Sequence, residues 1–166
     1  MAKFGKCDLG GLKKLQEKLN KVQQKDIDEF LTGCAKELTA RLLRKVIKNT
    51  PTGQYPKGSG KTGGTLRRGW TAATQEEAEA GNGFGLNKIT DFLNGVEITH
   101  EGNVYRITII NPVEYASYVE YGHRTRNHKG WVQGKFMLEI SEKDIQDIAP
   151  QLLAKRLKTF LEGCFM

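Results

Sequence analysis

The segment Gly58-Ser59-Gly60-Lys61-Thr62 holds the residue types best suited to chemistry, because Gly-Lys-Thr ends the phosphate-binding loop of nucleotide-hydrolysing proteins. That loop also requires a glycine at position 55, where this sequence has tyrosine. It further requires a strand before it and a helix after it, whereas the hydrophobic pattern here predicts a helix before and a strand after. The segment therefore favours a flexible basic loop over a nucleotide-binding enzyme.

Patterns typical of metal sites and catalytic centres are also missing. The histidines and cysteines include no close pair of the zinc-binding kind, and His123 and His128 stand five apart on a glycine-flanked loop. No Gly-x-Ser-x-Gly or His-Glu-x-x-His segment occurs. Glu114 and Glu120 do not share a helix face, so we expect both to be solvated. The sequence predicts no catalytic, cofactor-binding or metal-ligating residue, and a protein that is not an enzyme.

Two basic loops with interleaved aromatic residues are the remaining candidates for a site. The formal net charge is +7, and residues 1–75 hold 16 of the 26 basic residues. A loop over residues 51–65, with five glycines and two prolines, is expected to be flexible. The basic residues on or beside it could face DNA: Lys57, Lys61, Arg67 and Arg68. A second polar loop, residues 123–134, carries Arg124, Arg126 and Lys129 beside Trp131. A nucleic-acid-binding module and a merely solvated basic surface both fit this pattern.

The helices that would position these loops are read from apolar spacing. Asp8 to Val22 has leucines at positions 9, 12, 15 and 19, and predicts a short amphipathic helix. The spacing over residues 26–49 predicts a longer helix, which ends at Thr50-Pro51 because the residue before proline is disfavoured in a helix. A C-terminal helical segment over 141–162 has a capping pattern in Ser141 and Asp144, and is interrupted or restarted at Pro150.

The middle of the chain predicts strands and a tyrosine-rich helix. Residues 66–73 predict a strand anchored by Trp70, and residues 75–95 look like an insertion with a short helix over 89–93. Residues 96–100 and 104–111 predict a β-hairpin joined by 101–103. Glu114 to Tyr121 predicts a helix that ends at Gly122. Its tyrosines at 115, 118 and 121 would pack in the core or form an oligomer interface.

Together these elements predict an α+β fold, with amphipathic helices packed on a small antiparallel sheet and long glycine-rich loops. The length fits a single domain over residues 1–166. No apolar run approaches the roughly 18 residues of a membrane span, and the N-terminus lacks the apolar block of a secretory signal. Three widely spaced cysteines indicate reduced thiols.

The segment from Tyr115 to Arg126, Tyr-Ala-Ser-Tyr-Val-Glu-Tyr-Gly-His-Arg-Thr-Arg, resembles a known family. It is similar to the tailed-phage tail-component family of head–tail joining, neck or tail-completion proteins of phages and prophages. Upstream features agree, since a basic amphipathic helix ends in Thr50-Pro51 and is followed by Thr62-Gly63, Leu66 and the basic pair at 67 and 68. The resemblance covers about residues 10–160.

The resemblance implies a structural virion component of the neck or tail, assembled in the bacterial cytoplasm. Such a subunit would form a homo-oligomeric ring between connector and tail terminator or tail-tube proteins, with non-specific contact to DNA in the lumen and none with a membrane. We expect subunit or partner contacts at Tyr115, Tyr118, Glu120, Tyr121, Arg124, Arg126 and Trp131. A basic nucleic-acid-binding module is the alternative.

Overall fold

The computed structural model describes residues 16–17, 24–56, 58–60, 63–81, 86–102 and 104–165. Its helices and strands follow in this order: α1 (Gln24–Asn49), α2 (Thr65–Gly69), α3 (Gln75–Glu79), α4 (Leu86–Gly95), β1 (Thr99–Glu101), β2 (Val104–Arg106), α5 (Ala116–Tyr121), β3 (Gly122–Arg124), β4 (Trp131–Gln133) and α6 (Met137–Phe165). The α+β prediction is confirmed. The predicted helix over 8–22 lies outside the described residues except for positions 16 and 17, which are helical.

The hydrophobic core forms where the C-terminal half of α1 meets the shorter helices. Leu43 and Val46 of α1 are fully buried because their spacing places them on one face of the helix. They pack with core residues from the later helices and the segments next to them: Leu66, Trp70, Ala78, Ile89, Val113 and Met137. Burying each large side chain contributes about 1.5–3 kcal/mol. Since Ala78 and Ile89 belong to this core, helices α3 and α4 pack as part of the body.

The two long helices run antiparallel, and a series of contacts fixes their register. Near the start of α1, the rings of Phe30 and Phe160 stack with centroids 4.6 Å apart. At the other end of α1, Asn49 Nδ2 donates to Ser141 Oγ over 2.9 Å. The predicted cap at Ser141 is wrong, because α6 begins at Met137 and Ser141 is buried inside it. The predicted interruption at Pro150 is wrong as well, since α6 continues through this exposed residue while packing on α1.

The predicted strand over residues 66–73 is wrong, because this segment is helix α2 followed by a turn. Gly64 precedes α2 with φ of 97°, a left-handed conformation that favours glycine. Trp70 is nevertheless the apolar anchor that the sequence predicts. It is 4% exposed, and its Nε1 donates to Thr50 Oγ1 over 2.8 Å. Leu66 and Trp70 are four apart, so one face of a helical turn buries both.

Two separate antiparallel hairpins replace the single small sheet. The predicted hairpin is confirmed as β1–β2, although each strand has three residues and position 99 pairs with 106. The predicted alternation also holds beyond β2, with residues 104, 106, 108 and 110 exposed and 105, 107 and 109 half-buried. The predicted polar loop over 123–134 is wrong, because Gly122–Arg124 pairs with Trp131–Gln133 as hairpin β3–β4.

Candidate functional site

Helix α5 passes directly into strand β3 through a glycine that no other residue could replace without strain. Gly122 has φ of 87°, and a Cβ on it would lie 2.4 Å from the carbonyl oxygen of Val132. Across the hairpin, a Cβ on Gly134 would lie 2.2 Å from the carbonyl oxygen of Glu120. The backbone amide of Lys135 donates to the carbonyl of Val119 over 2.8 Å. These close approaches hold the hairpin against the end of α5.

Glu120 connects this unit to the long C-terminal helix. Its side chain is 6% exposed, and its carboxylate accepts hydrogen bonds from the backbone amides of Leu138 and Glu139 at 3.1–3.2 Å. A carboxylate at a helix N-terminus satisfies amides that have no partner within the helix and opposes the positive end of its dipole. The expectation that Glu120 is solvated is therefore wrong. This carboxylate fixes where α6 begins.

Large aromatic side chains surround the β3–β4 hairpin and remain exposed. Tyr118 is 58% exposed, Tyr121 63% and Trp131 62%, and the neighbouring Val132 is 44% exposed. Tyr118 packs edge-on against His123 with ring centroids 5.8 Å apart. Because residues 131 and 132 alternate in direction along β4, the hairpin is apolar on both faces. We call these four residues the aromatic hairpin surface: Tyr118, Tyr121, Trp131 and Val132.

The tip of this hairpin is built by its own side chains. Thr125 Oγ1 accepts a hydrogen bond from the amide of Gly130 over 3.0 Å and donates to Asn127 Oδ1 over 2.7 Å. Asn127 Oδ1 also accepts from the amide of Lys129 over 3.2 Å. Such side-chain-to-backbone bonds define a turn where no strand pairing is available. The segment predicted as a polar loop therefore holds a specific conformation.

Three basic side chains stand exposed on and beside that tip: Arg124, Arg126 and Lys129. Arg124 pairs directly with Trp131 across the two strands, so both lie on the same face of the hairpin. Guanidinium groups bind carboxylates and phosphates through paired hydrogen bonds. The fold thus brings together five of the predicted contact residues, at positions 118, 121, 124, 126 and 131.

The other predicted basic set is arranged differently. Arg68 is 9% exposed, and its Nε donates to the carbonyl oxygen of Ala78 over 2.6 Å. The Nε of Arg67 donates to the carbonyl oxygen of Thr50 over 2.6 Å. Lys57 and Lys61 lie outside the described residues. Both arginines of the proposed DNA-facing set therefore have hydrogen-bond partners within the fold.

Tyr115, at the start of α5, lies away from the hairpin and beside α2. It is 43% exposed, and its hydroxyl is hydrogen-bonded to the side chain of Thr65. Burial raises the pKa of Tyr115 above its ordinary value of 10.0, and the nearby Tyr55 raises it further. The phenol is therefore neutral at physiological pH and presents an uncharged hydrogen-bonding group.

Residues 13–122 match the family model described as "Bacteriophage HK97-gp10, putative tail-component". The chain belongs to this family. The predicted resemblance to a tailed-phage tail-component family is therefore confirmed, and membership supports a structural role in a phage tail. No curated protein and no solved structure matches the chain significantly.

In this HK97-gp10-like protein, the residues matched by the family model end within the aromatic hairpin surface. Tyr118 and Tyr121 lie inside the matched residues, whereas Trp131 and the basic tip lie beyond them. Among the residues that the structure describes, no cluster of histidine, cysteine, aspartate and glutamate could hold a metal ion. None of the described helices is long and apolar enough to cross a membrane.

Proposed function

We propose that the protein is a structural subunit of the neck, the head–tail junction of a phage or phage-tail-like particle. Copies of the chain assemble as a ring that joins the connector to the tail tube or the tail terminator. The subunit is made in the bacterial cytoplasm and becomes part of the virion. Family membership supports a place in the tail, and the aromatic hairpin surface supports an assembly role within it.

The aromatic hairpin surface is the observation that carries this proposal. Tyrosine and tryptophan are enriched in protein interfaces, and exposed apolar groups bordered by polar residues mark such interfaces. The surrounding backbone is held by the close packing of Gly122 and Gly134, so little conformational freedom remains to be lost on binding. An apolar hairpin bordered by Arg124 and Arg126 suits insertion between neighbouring subunits with acidic surfaces.

The first test uses particles made without this protein and then supplied with variants. Loss of the protein should give unjoined heads or malformed tails by electron microscopy, and the wild type should restore joined particles. The double variant Tyr121→Ser/Trp131→Ser should not restore them. Its control is Val104→Ser/Ile110→Ser, which removes two exposed apolar residues elsewhere and should restore joining. Normal joining by the Tyr121→Ser/Trp131→Ser particles would contradict the role of this surface.

The hairpin tip also supports contact with DNA passing through the ring. Arg124, Arg126 and Lys129 lie near Trp131, a combination of charge and stacking surface that suits non-specific binding. The alternative function, a stand-alone nucleic-acid-binding module, requires that the isolated subunit bind duplex DNA. Three phosphate contacts would give a slope of about −2.7 for log K against log salt. Negligible binding by the isolated subunit would reject this alternative and leave the neck role intact.

A further inference from the structure

The β3–β4 hairpin presents a basic tip beside the aromatic hairpin surface. Its three basic side chains, Arg124, Arg126 and Lys129, are exposed. None of the ion pairs between residues that the structure describes involves them. Because Thr125 and Asn127 hold the turn, these charges remain available to a partner.

The opposite charge is concentrated where α3 packs beside the start of α5. The amide of Glu114 donates to Gln75 Oε1 over 3.1 Å, and Gln75 Nε2 donates to Glu79 Oε1 over 2.8 Å. Glu76 lies three positions before Glu79 and so shares its side of the helix. All three glutamates are exposed. Together with two neighbouring tyrosines they form what we call the acidic tyrosine face: Tyr55, Glu76, Glu79, Glu114 and Tyr115.

The two tyrosines of this face are exposed and lie close to its carboxylates. Tyr55 is 50% exposed and Tyr115 is 43% exposed. Burial raises the pKa of Tyr115, and the nearby Tyr55 and Glu79 raise it further, which places both beside its hydroxyl group. Hydrogen bonds from its own backbone amide and from Thr74 hold the pKa of Glu76 below 4.5, so that carboxylate is ionised at neutral pH. The face therefore combines negative charge with aromatic surface.

We propose that the basic tip and the aromatic hairpin surface of one copy dock onto the acidic tyrosine face of the next copy. This inference rests on the proposed ring and names the contact between its subunits. Because the two surfaces differ, each copy offers one of them to each neighbour. Repetition of such a head-to-tail contact gives a ring when its rotation closes. Contact of the hairpin with itself would stop at a dimer and would oppose like charges.

The composition of the two surfaces favours a second copy as the partner. Three basic side chains at the tip match three carboxylates on the face, and guanidinium groups bind carboxylates through paired hydrogen bonds. Trp131 and Tyr121 supply the aromatic area that would cover Tyr55 and Tyr115. Duplex DNA at the tip would leave the acidic tyrosine face without a partner, and that face would repel it. The observed charges are thus better satisfied by the same chain than by DNA.

Exchange of charge between the two surfaces tests this contact in the purified full-length chain. The tip variant is Arg124→Glu/Arg126→Glu, and the face variant is Glu79→Arg/Glu114→Arg. Each opposes like charges, so its association constant by sedimentation should fall about tenfold or more. A chain that carries both pairs of substitutions should return to near the wild-type value. An equimolar mixture of the two variants should associate as well, because the acidic tip of one meets the basic face of the other.

Three results of the sedimentation experiment would overturn the proposal. Unchanged association of either variant would show that its surface lies outside the contact. Weak association of the chain with both pairs of substitutions would show that the tip and the face have different partners. A wild-type chain that stays monomeric at low salt, where charge pairs are least screened, would show that the two surfaces do not bind each other.

Matched controls change the net charge equally at exposed positions elsewhere. Arg106→Glu/Lys155→Glu is the control for the tip variant, and Glu142→Arg/Glu162→Arg is the control for the face variant. Both controls should associate like the wild type, and a loss in them equal to that of the variants would overturn the specific contact. Fluorescence of the buried Trp70 checks that every variant is folded.

Particle joining separates this contact from the neck role and from DNA binding. The chain with both pairs of substitutions should restore joined particles, whereas the tip variant alone should not. Restoration cannot come from DNA, because the exchanged tip is acidic and repels phosphate groups. Unjoined particles with the exchanged chain would assign the tip to DNA or to another protein and overturn the proposal. Normal joining without any copy of the protein would instead reject the neck role, and sedimentation would still decide the contact.

Discussion

Two arginine pairs in this protein are used in opposite ways. Arg67 and Arg68 donate to backbone carbonyls of the body, whereas Arg124 and Arg126 stand exposed on the β3–β4 hairpin. Both pairs lie near glycines and aromatic residues in the sequence, and both are candidates for contact with a polyanion on that basis. The difference shows that an arginine is available to a partner only where nearby backbone carbonyls do not need it as a hydrogen-bond donor.

Carbonyls that need a donor from elsewhere are most common at the ends of helices, because the last carbonyl groups lack partners within the helix. Arg67 serves the carbonyl of Thr50, just past the end of α1, and Arg68 serves the carbonyl of Ala78 in the last turn of α3. At the hairpin tip, by contrast, Thr125 and Asn127 provide the hydrogen bonds that hold the turn. The arginines beside that tip are not needed to complete the fold.

Replacing the buried arginine should have the largest effect on stability. The Arg68→Ala variant leaves the carbonyl of Ala78 without its donor and opens a cavity beside α2. We expect a loss of about 2–4 kcal/mol in the free energy of unfolding. Arg68→Lys should recover less than half of it, because an ammonium group cannot reproduce the fork of the guanidinium. Urea denaturation measures both, and an unchanged midpoint for Arg68→Ala would break the comparison.

The two glutamates of the tyrosine-rich segment extend the comparison to acidic residues. Glu120→Ala removes the carboxylate that accepts from the amides of Leu138 and Glu139, and should cost about 2 kcal/mol. Glu114→Ala, at an exposed position six residues earlier, should stay within about 0.5 kcal/mol of the wild type. Thermal unfolding followed by circular dichroism compares them. Equal losses of stability in Glu120→Ala and Glu114→Ala would mean that the buried carboxylate stabilises the fold no more than the exposed one does.

The parts of the fold that the sequence predicts correctly are those set by local pattern. Helix α1 follows from a long run of apolar residues at helical spacing, and the end of α5 follows from Gly122. The error at residues 66–73 has a geometric cause. Residues four apart, such as Leu66 and Trp70, point the same way in a strand and in a helix, so their spacing cannot separate the two. Contacts to Thr50 and Ala78, which are distant in the sequence, decide the helical form.

The predicted site residues show the same difference between features set by local pattern and features set by contacts that are distant in the sequence. The exposure of Tyr118, Tyr121 and Trp131 agrees with their predicted place on a contact surface, although the contacts themselves stay a prediction. The burial of Glu120 and Arg68 depends on which backbone groups the fold brings near them, and no motif in the sequence records that. For the same reason α6 begins at Met137, where Glu120 supplies the cap, and the local pattern at Ser141 and Asp144 predicts the wrong start.

Ion pairs made by half-exposed arginines should contribute an intermediate amount to stability. Replacing Glu37 on α1, which pairs with two such arginines, tests this. Its carboxylate bridges Arg41, at 2.7 Å, and Arg156 of α6, at 2.5 Å. The hydrogen bond from Arg41 and the charges of Arg156, Arg41 and Arg44 hold the pKa of Glu37 below its ordinary value of 4.5. Because solvent screens these groups, we expect Glu37→Gln to cost only about 0.5–1 kcal/mol at pH 7.

The lowered pKa of Glu37 also fixes the pH dependence of that loss. The stabilisation is complete above the ordinary value of 4.5 and disappears as the pH falls through the lowered pKa. Urea titrations at neutral and strongly acidic pH should therefore show the difference between the wild type and Glu37→Gln vanish in acid. Glu162→Gln is the control, because its pairing with Lys158 is 3.9 Å long and exposed, and should give no measurable loss. A loss at Glu37 that persists in acid would contradict the electrostatic cause.

The smallest effect on stability is expected for the exposed arginines of the β3–β4 hairpin. The double variant Arg124→Ala/Arg126→Ala removes two exposed side chains from a hairpin whose tip is held by Thr125 and Asn127, so the free energy of unfolding should change by less than about 0.5 kcal/mol. If these arginines border an interface with an acidic neighbour, the variant should associate more slowly, and its association should depend less on salt. Light scattering over a salt series measures the association rate of each variant and how that rate depends on salt. The control is Arg106→Ala, which removes an exposed arginine on the other hairpin. A fall in stability above about 1 kcal/mol would show that the exposed pair also supports the fold, because partner contacts cannot change the unfolding of an isolated chain.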